Sequence, residues 1–298
     1  MTASADSPSS LEHPAPETLR LGSCSFTAVG WAGSFYPRGL SSKEFLRFYA
    51  EEFDTVELDV TWYRVPTPSM IEAWYERTPP GFSFAAKVPQ TITHDKVMLD
   101  CRRELNEFLD AMAGLKEKLG PLLFQFPYFK REQMRDVDEF LRLLKPFLAE
   151  LPEGFRYALE VRNGAWIAPP LIDLLQATGV ALAITDHPYM PPLEEWFRRV
   201  DPITAQGFTY IRWLGDRHGI ERLTKTWDKV VVDRSADLDR WTERCQAIRR
   251  RGVTIHGYVN NHYAGHSPAT MRSLLDRLEP SLRRERPEPP PPRQRSLF

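Results

Sequence analysis

Eight short apolar runs, each followed by a stretch with helical spacing, recur between residues 19 and 279, and this alternation constrains the fold more than any other feature. The runs are LRLGSCSF (19–26), TVELDV (55–60), GFSFAAKVP (81–89), PLLFQFP (121–127), FRYALEVR (155–162), VALAITD (180–186), GFTYIRWLG (207–215) and VTIHGYVNN (253–261). The helical stretches are 41–53, 68–78, 99–118, 135–151, 169–179, 193–200, 236–252 and 267–279. Eight strand-then-helix units over 18–279 predict an α/β chain folded as a single (β/α)8 TIM-type barrel. A doubly wound open sheet would carry a glycine-rich phosphate turn after its first strand, and GSCSFTAVGWAG (22–33) is not one.

The flanks read differently. Residues 1–17 are rich in Ser, Pro and Ala, with neither a basic nor an apolar region, so a disordered leader is expected there and not an export signal. Residues 280–298 form a Pro/Arg-rich tail. No apolar run approaches the roughly 20 residues of a bilayer span. Three widely spaced cysteines, Cys24, Cys101 and Cys245, fit no disulfide framework, and a cytoplasmic location is expected. With 39 basic against 40 acidic residues, the barrel has no overall charge to draw nucleic acid, so no direct contact with it is expected.

Alternate side chains of a barrel strand point to the axis, and the others pack beneath the helices. If Val56, Leu58 and Val60 face the helices, Glu57 and Asp59 point inward. The same parity turns Lys87, Gln125, Glu160 and Arg162 to the axis, and it sets His256 and Asn260 on one face of the eighth strand. Asp186 closes the sixth strand, and Arg212 lies within the seventh. Each strand from the second to the eighth is therefore expected to bring a polar group toward its C-terminal end, where barrel enzymes keep their chemistry. Unpaired buried charges cost on the order of several kcal/mol each, and barrel interiors are ordinarily filled by Val, Ile and Leu. A small-molecule site is favoured over an ion-pair plug.

In that site Glu57 or Glu160 is expected to act as acid or base, with Asp186 among the catalytic candidates and Lys87 stabilising developing negative charge. Arg162 and Arg212 present bidentate forks suited to a carboxylate or phosphate, so the expected substrate is a small anion. The loops that follow the strands carry His94, His187, His218, His262 and His266, but no HxH or HExxH spacing marks a metal site, and no cofactor is indicated. Cys24 reads as a small core residue.

Taken together, GSFYP (33–37), FDTVELDVTWYRVP (53–66), FSFAAKVPQTITH (82–94), PLLFQFP (121–127), YALEVRNGAW (157–166), YIRWLG (210–215) and YVNNHYAG (258–265) resemble the YecE-like family, domain of unknown function 72. The resemblance implies a TIM-type barrel and no established activity. Carried over residue by residue, it adds Tyr63, Arg64, Thr93, Trp166 and Asn261 to the residues above. Asp59 stands where the family pattern often has Asn.

The last five residues, QRSLF (294–298), resemble the pentapeptide with which bacterial proteins dock on the DNA sliding clamp, with Arg295 in place of the usual Leu. Gln294, Leu297 and Phe298 are the matching anchors, carried on an extended proline-rich tether. The reading at this level is a hydrolase or lyase acting on a small anionic or phosphorylated substrate; its alternative is a non-catalytic ligand-binding adaptor recruited through the tail.

Overall fold

Parallel strands buried on both faces require a short, apolar sequence, and each run supplies one. In the computed structural model, which describes residues 18–280, the strands are β1 (Leu19–Ser23), β2 (Thr55–Leu58), β3 (Ser83–Lys87), β4 (Leu119–Gln125), β5 (Tyr157–Glu160), β6 (Ala181–Asp186), β7 (Phe208–Trp213) and β8 (Thr254–Val259). The helices are α1 (Phe45–Glu52), α2 (Pro68–Glu76), α3 (Arg102–Ala113), α4 (Val137–Ala149), α5 (Pro169–Thr178), α6 (Leu193–Arg199), α7 (Arg217–Leu223), α8 (Ser235–Arg249) and α9 (Ser267–Leu278). Each strand pairs in parallel with its sequence neighbour from β2 to β8, and β8 pairs with β1, giving a nearly closed (β/α)8 barrel ringed by helices. Residues 1–17 and the tail beyond residue 280, including Gln294, Leu297 and Phe298, lie outside the described residues.

Alternation divides the barrel into two cores. Val56, Phe84, Phe124, Leu159, Leu182 and Ile211 pack outward against the helices. Ala85, Leu123, Ala158, Ala181 and Ala183 point inward around Tyr210 and Tyr258, small residues beside large ones, and all are buried. The inward charged groups Glu57, Glu160 and Arg212 lie toward the C-terminal end.

The seam between β1 and β2 is closed by a side chain. Ser23 N–H donates to the Tyr49 hydroxyl at 2.8 Å, and that hydroxyl lies 3.1 Å from the Thr55 carbonyl to which it donates. The strands approach so closely that a Cβ at Gly22 would stand 2.0 Å from the Thr55 carbonyl oxygen, and only glycine fits.

Three expectations needed correction. The second strand stops at Leu58, and Asp59–Trp62 form a 3-10 turn, because Thr61 turns back to donate to the Leu58 carbonyl at 2.7 Å. The helix expected over 99–118 is confined to Arg102–Ala113; it is preceded by a π-helical turn at Thr91–Asp95 and by left-handed backbone at Val97, Met98 and Asp100. The loop after β7 carries α7, which the hydrophobic pattern did not signal because only Ile220 of its seven residues is buried.

Candidate functional site

Arg212 lies at the centre of the upper barrel. Its position on β7, two residues beyond the inward Tyr210, aims the guanidinium at the axis. Nη2 donates to Glu57 Oε1 at 2.6 Å, and Nη1 donates to Glu160 Oε2 at 2.8 Å. Both glutamates are fully buried. Arg162 Nε reaches the other Glu160 oxygen at 2.5 Å, and the Tyr210 hydroxyl donates to Glu57 Oε2 at 2.5 Å. Each buried charge thus has a partner of opposite sign, as burial requires.

These contacts set the charge states. Burial alone would raise the Glu160 carboxyl, but Arg162 and Arg212 outweigh it and hold its pKa at about 2. Burial, reinforced by Glu57, pushes the Cys24 thiol up although Arg212 Nη2 lies 3.9 Å from its sulfur, so the thiol stays protonated. Burial of its Oδ1 pushes Asp59 up to about 6, with the Glu57 charge as the next contribution, although the rest of the side chain reaches solvent.

Asp59 differs from the two glutamates in access. Its Oδ1 lies 3.7 Å from Arg212 Nη2 without accepting a hydrogen bond, yet the side chain keeps 37% of its surface in solvent. Lys87 Nζ sits 4.7 Å from the centre of the Trp62 ring, and burial lowers its pKa against the pull of Asp59. Arg162 is 16% exposed, against 3% for Arg212. Exposure therefore grades upward from the sealed Glu57–Arg212–Glu160 group to Asp59, Lys87 and Arg162 at the mouth.

Histidines flank the mouth in neutral form. Burial, followed by the Lys87 charge, lowers His94 to about 4; its ring lies 5.1 Å from Trp62, and its Nδ1 is 2.8 Å from the Thr93 hydroxyl. Burial, followed by Arg162, lowers His187 to about 4, and its Nδ1 accepts from Tyr189 N at 3.1 Å. Tyr63 stands exposed with its ring edge-on to Trp62.

Other expected site residues do not join the cluster. Asp186 shares the face of Leu182 and Ile184 and turns to the helix layer, where its Oδ2 accepts from Trp241 Nε1 at 2.8 Å; the inward position near the end of β6 belongs to Thr185. The ALAITD alternation already carried this signal. Trp166 is packed in the outer core against Phe140 and Phe129, with ring centres 4.9 and 5.8 Å away. Gln125 does turn to the axis, level with Glu160 on β5, and its amide donates to the Phe126 carbonyl at 2.5 Å. Asn260 accepts from His262 N at 3.0 Å, and Asn261 Oδ1 accepts from Ser267 N at 2.9 Å, so both brace the loop into α9. His256 lies low in the barrel against Phe208.

Sequence reading missed Tyr210 and Trp62 as members of the site, and it named His187 only among the histidines of the rim loops. Tyr210 was within reach, since it lies two residues before Arg212 on the same face. A cavity of about 280 Å³ opens between α3 and α4, lined by Cys101, Leu105, Arg142 and Phe147, but it contains none of the converging acids. Among the described residues no group of three or more His, Cys, Asp or Glu is placed to hold a metal ion, and no helix is long and apolar enough to cross a membrane.

The family model described as "Protein of unknown function DUF72" matches residues 20–295. The chain belongs to this family. The DUF72 chain is 25% identical over 269 residues to UPF0759 protein YunF of Bacillus subtilis, covering 84% of this chain and 93% of YunF. It is 34% identical over 125 residues to UPF0759 protein YecE of Escherichia coli K12, a match covering 41% of this chain and 43% of YecE. Its fold matches that of a DUF72 family protein from Thermotoga maritima with a TM-score of 0.66 at 23% identity, covering 90% of this chain and 100% of that one. A DUF72 family protein from Enterococcus faecalis matches with a TM-score of 0.62 at 20% identity, over 89% of this chain and 98% of that one.

Proposed function

We propose that the C-terminal mouth of the barrel is the active site of a hydrolase or lyase that takes a small anionic, and in particular a phosphorylated, substrate. The observation that carries this reading is the division of labour around Arg212. Both of its Nη atoms are engaged by glutamates in a sealed scaffold, and Arg162 and Lys87 lie above it toward solvent. These two cations hold the anion, a task for which Arg212 is too enclosed. Asp59 is the acid of this cluster that meets solvent, so it is the proton carrier of the reading, a role for which a pKa near the working pH is suited.

The charge balance supports an anion. Lys87, Arg162 and Arg212 oppose Glu57, Asp59 and Glu160, and protonation of Asp59 leaves one positive charge in excess. The completeness of the Arg212 network favours a second reading, a non-catalytic ligand-binding adaptor, since a saturated scaffold binds without needing to react. In either case the tail residues Gln294, Leu297 and Phe298 are proposed to dock on the bacterial sliding clamp.

A panel of phosphorylated and carboxylated metabolites tests the choice. The enzyme reading expects turnover by the wild type that Asp59→Asn abolishes while ligand binding remains. A ligand that raises the melting temperature but is never turned over points to the adaptor. A panel in which no anion binds overturns both.

A further inference from the structure

Every large apolar or aromatic side chain that stands exposed among the described residues, Tyr63, Tyr128 and Tyr189 among them, lies between a barrel strand and the main helix that follows it. These segments all emerge at the C-terminal end of the barrel. Among the described residues, the eight main helices of the outer ring and the opposite end of the barrel carry none. Isolated exposed apolar residues are ordinary; their confinement to one end is not.

Two of the tyrosines stand together. Tyr128 follows β4 and Tyr189 follows β6, yet their ring centres are 5.8 Å apart at 53°, across the end of β5. They are 53% and 59% exposed, so half of each ring is unused by the fold. Between their two loops runs the segment after β5, which contains Arg162. The approach is close: a Cβ on Gly164 would stand 2.9 Å from the Tyr189 carbonyl oxygen. Asn163, the residue after Arg162, accepts from Phe129 N and donates to the Phe129 carbonyl, both at 2.9 Å, so the same segment braces the loop of Tyr128 as well as that of Tyr189.

We propose that Tyr128 and Tyr189 form a ring subsite above Arg162, which stacks the flat aromatic portion of the same ligand whose anionic group Arg162 holds. This rests on the anion-binding reading above and narrows it to aromatic anions. Aromatic faces meet other flat π-systems in offset or tilted contact; the two rings already meet each other that way, and their solvent-exposed surfaces are left for a further ring. A protein partner would call for a continuous apolar patch of several hundred Å², whereas here one pair of rings offers a ring-sized surface.

Calorimetric titration of the full chain with methyl, cyclohexyl and phenyl phosphate, in the wild type and in the double variant Tyr128→Ser/Tyr189→Ser, tests this. The wild type is expected to bind phenyl phosphate about tenfold more tightly than methyl phosphate, within the range found for one ring stacked on aromatic side chains. The double variant is expected to bind the two alike, with methyl phosphate affinity unchanged, which also shows that the variant is folded. Equal binding of phenyl and methyl phosphate by the wild type, or a preference that survives in the double variant, overturns the subsite and leaves the anion reading intact. Cyclohexyl phosphate binding as tightly as phenyl phosphate overturns the aromatic assignment. Failure of all three to bind overturns the anion reading and the subsite with it.

Discussion

Asp59 lies 3.7 Å from the guanidinium of Arg212 and remains open to solvent, although the same guanidinium is clamped between two fully buried glutamates. A single arginine thus joins a sealed ionic scaffold to an acid that can exchange protons.

Affinity for an anion at the mouth should follow the protonation of Asp59. Its pKa is raised to about 6, so lowering the pH through 6 removes a negative charge and tightens anion binding. Sulfate keeps its charge over this range. Its dissociation constant, measured by calorimetry between pH 5 and 8, is expected to rise through pH 6 in the wild type and to stay flat in Asp59→Asn.

Stability should depend on the same group with the opposite sense of charge. Because the folded-state pKa of Asp59 lies above its ordinary value of 3.8, the native state binds the proton more tightly, and this contribution weakens as pH rises from about 4 to 6. His94 and His187, both lowered to about 4, act oppositely and destabilise the fold as pH falls from 6.5 toward 4. Urea midpoints of Asp59→Asn relative to wild type should therefore gain more at pH 7 than at pH 4.5.

Replacing Arg212 by Met leaves Glu57 and Glu160 buried without their shared partner. A loss of about 3–5 kcal/mol is expected from chemical denaturation, as for a buried pair broken on one side. Glu160→Gln should cost less, because the amide oxygen still accepts from Arg162 or Arg212.

Tyr49→Phe removes the hydroxyl that joins Ser23 to Thr55 at the β1/β2 seam. Two buried backbone groups lose their partner, each worth about 1–3 kcal/mol. Hydrogen exchange at the Ser23 amide should accelerate accordingly, while the β4/β5 ladder keeps its protection.

A chain truncated after Pro292 should lose any binding to purified sliding clamp that the full chain shows in a pull-down. Equal or absent binding in both would remove the tail proposal.

The barrel was legible because alternation is a local property: Val56 and Leu58 on one side fix Glu57 on the other, whatever the rest of the chain does. The helix after β7 escaped because RHGIERL carries no apolar stripe, and its place depends on contacts made by the loop as a whole. The ionic partners of the site were legible as inward charges, but their pairing was not, since Arg212 meets Glu57 and Glu160 across 155 and 52 residues of sequence. Trp166 illustrates the converse. Nothing in YALEVRNGAW distinguishes a tryptophan that lines a mouth from one stacked on Phe140 beneath it.

The claim that the mouth is built for an anion is tested most directly by soaking crystals in selenate, a sulfate analogue with a strong anomalous signal. An anomalous peak within hydrogen-bonding reach of Arg162 and Lys87, lost in Arg162→Gln crystals, is the predicted result. A mouth without selenate at a concentration that decorates other arginines of the same crystal would contradict it.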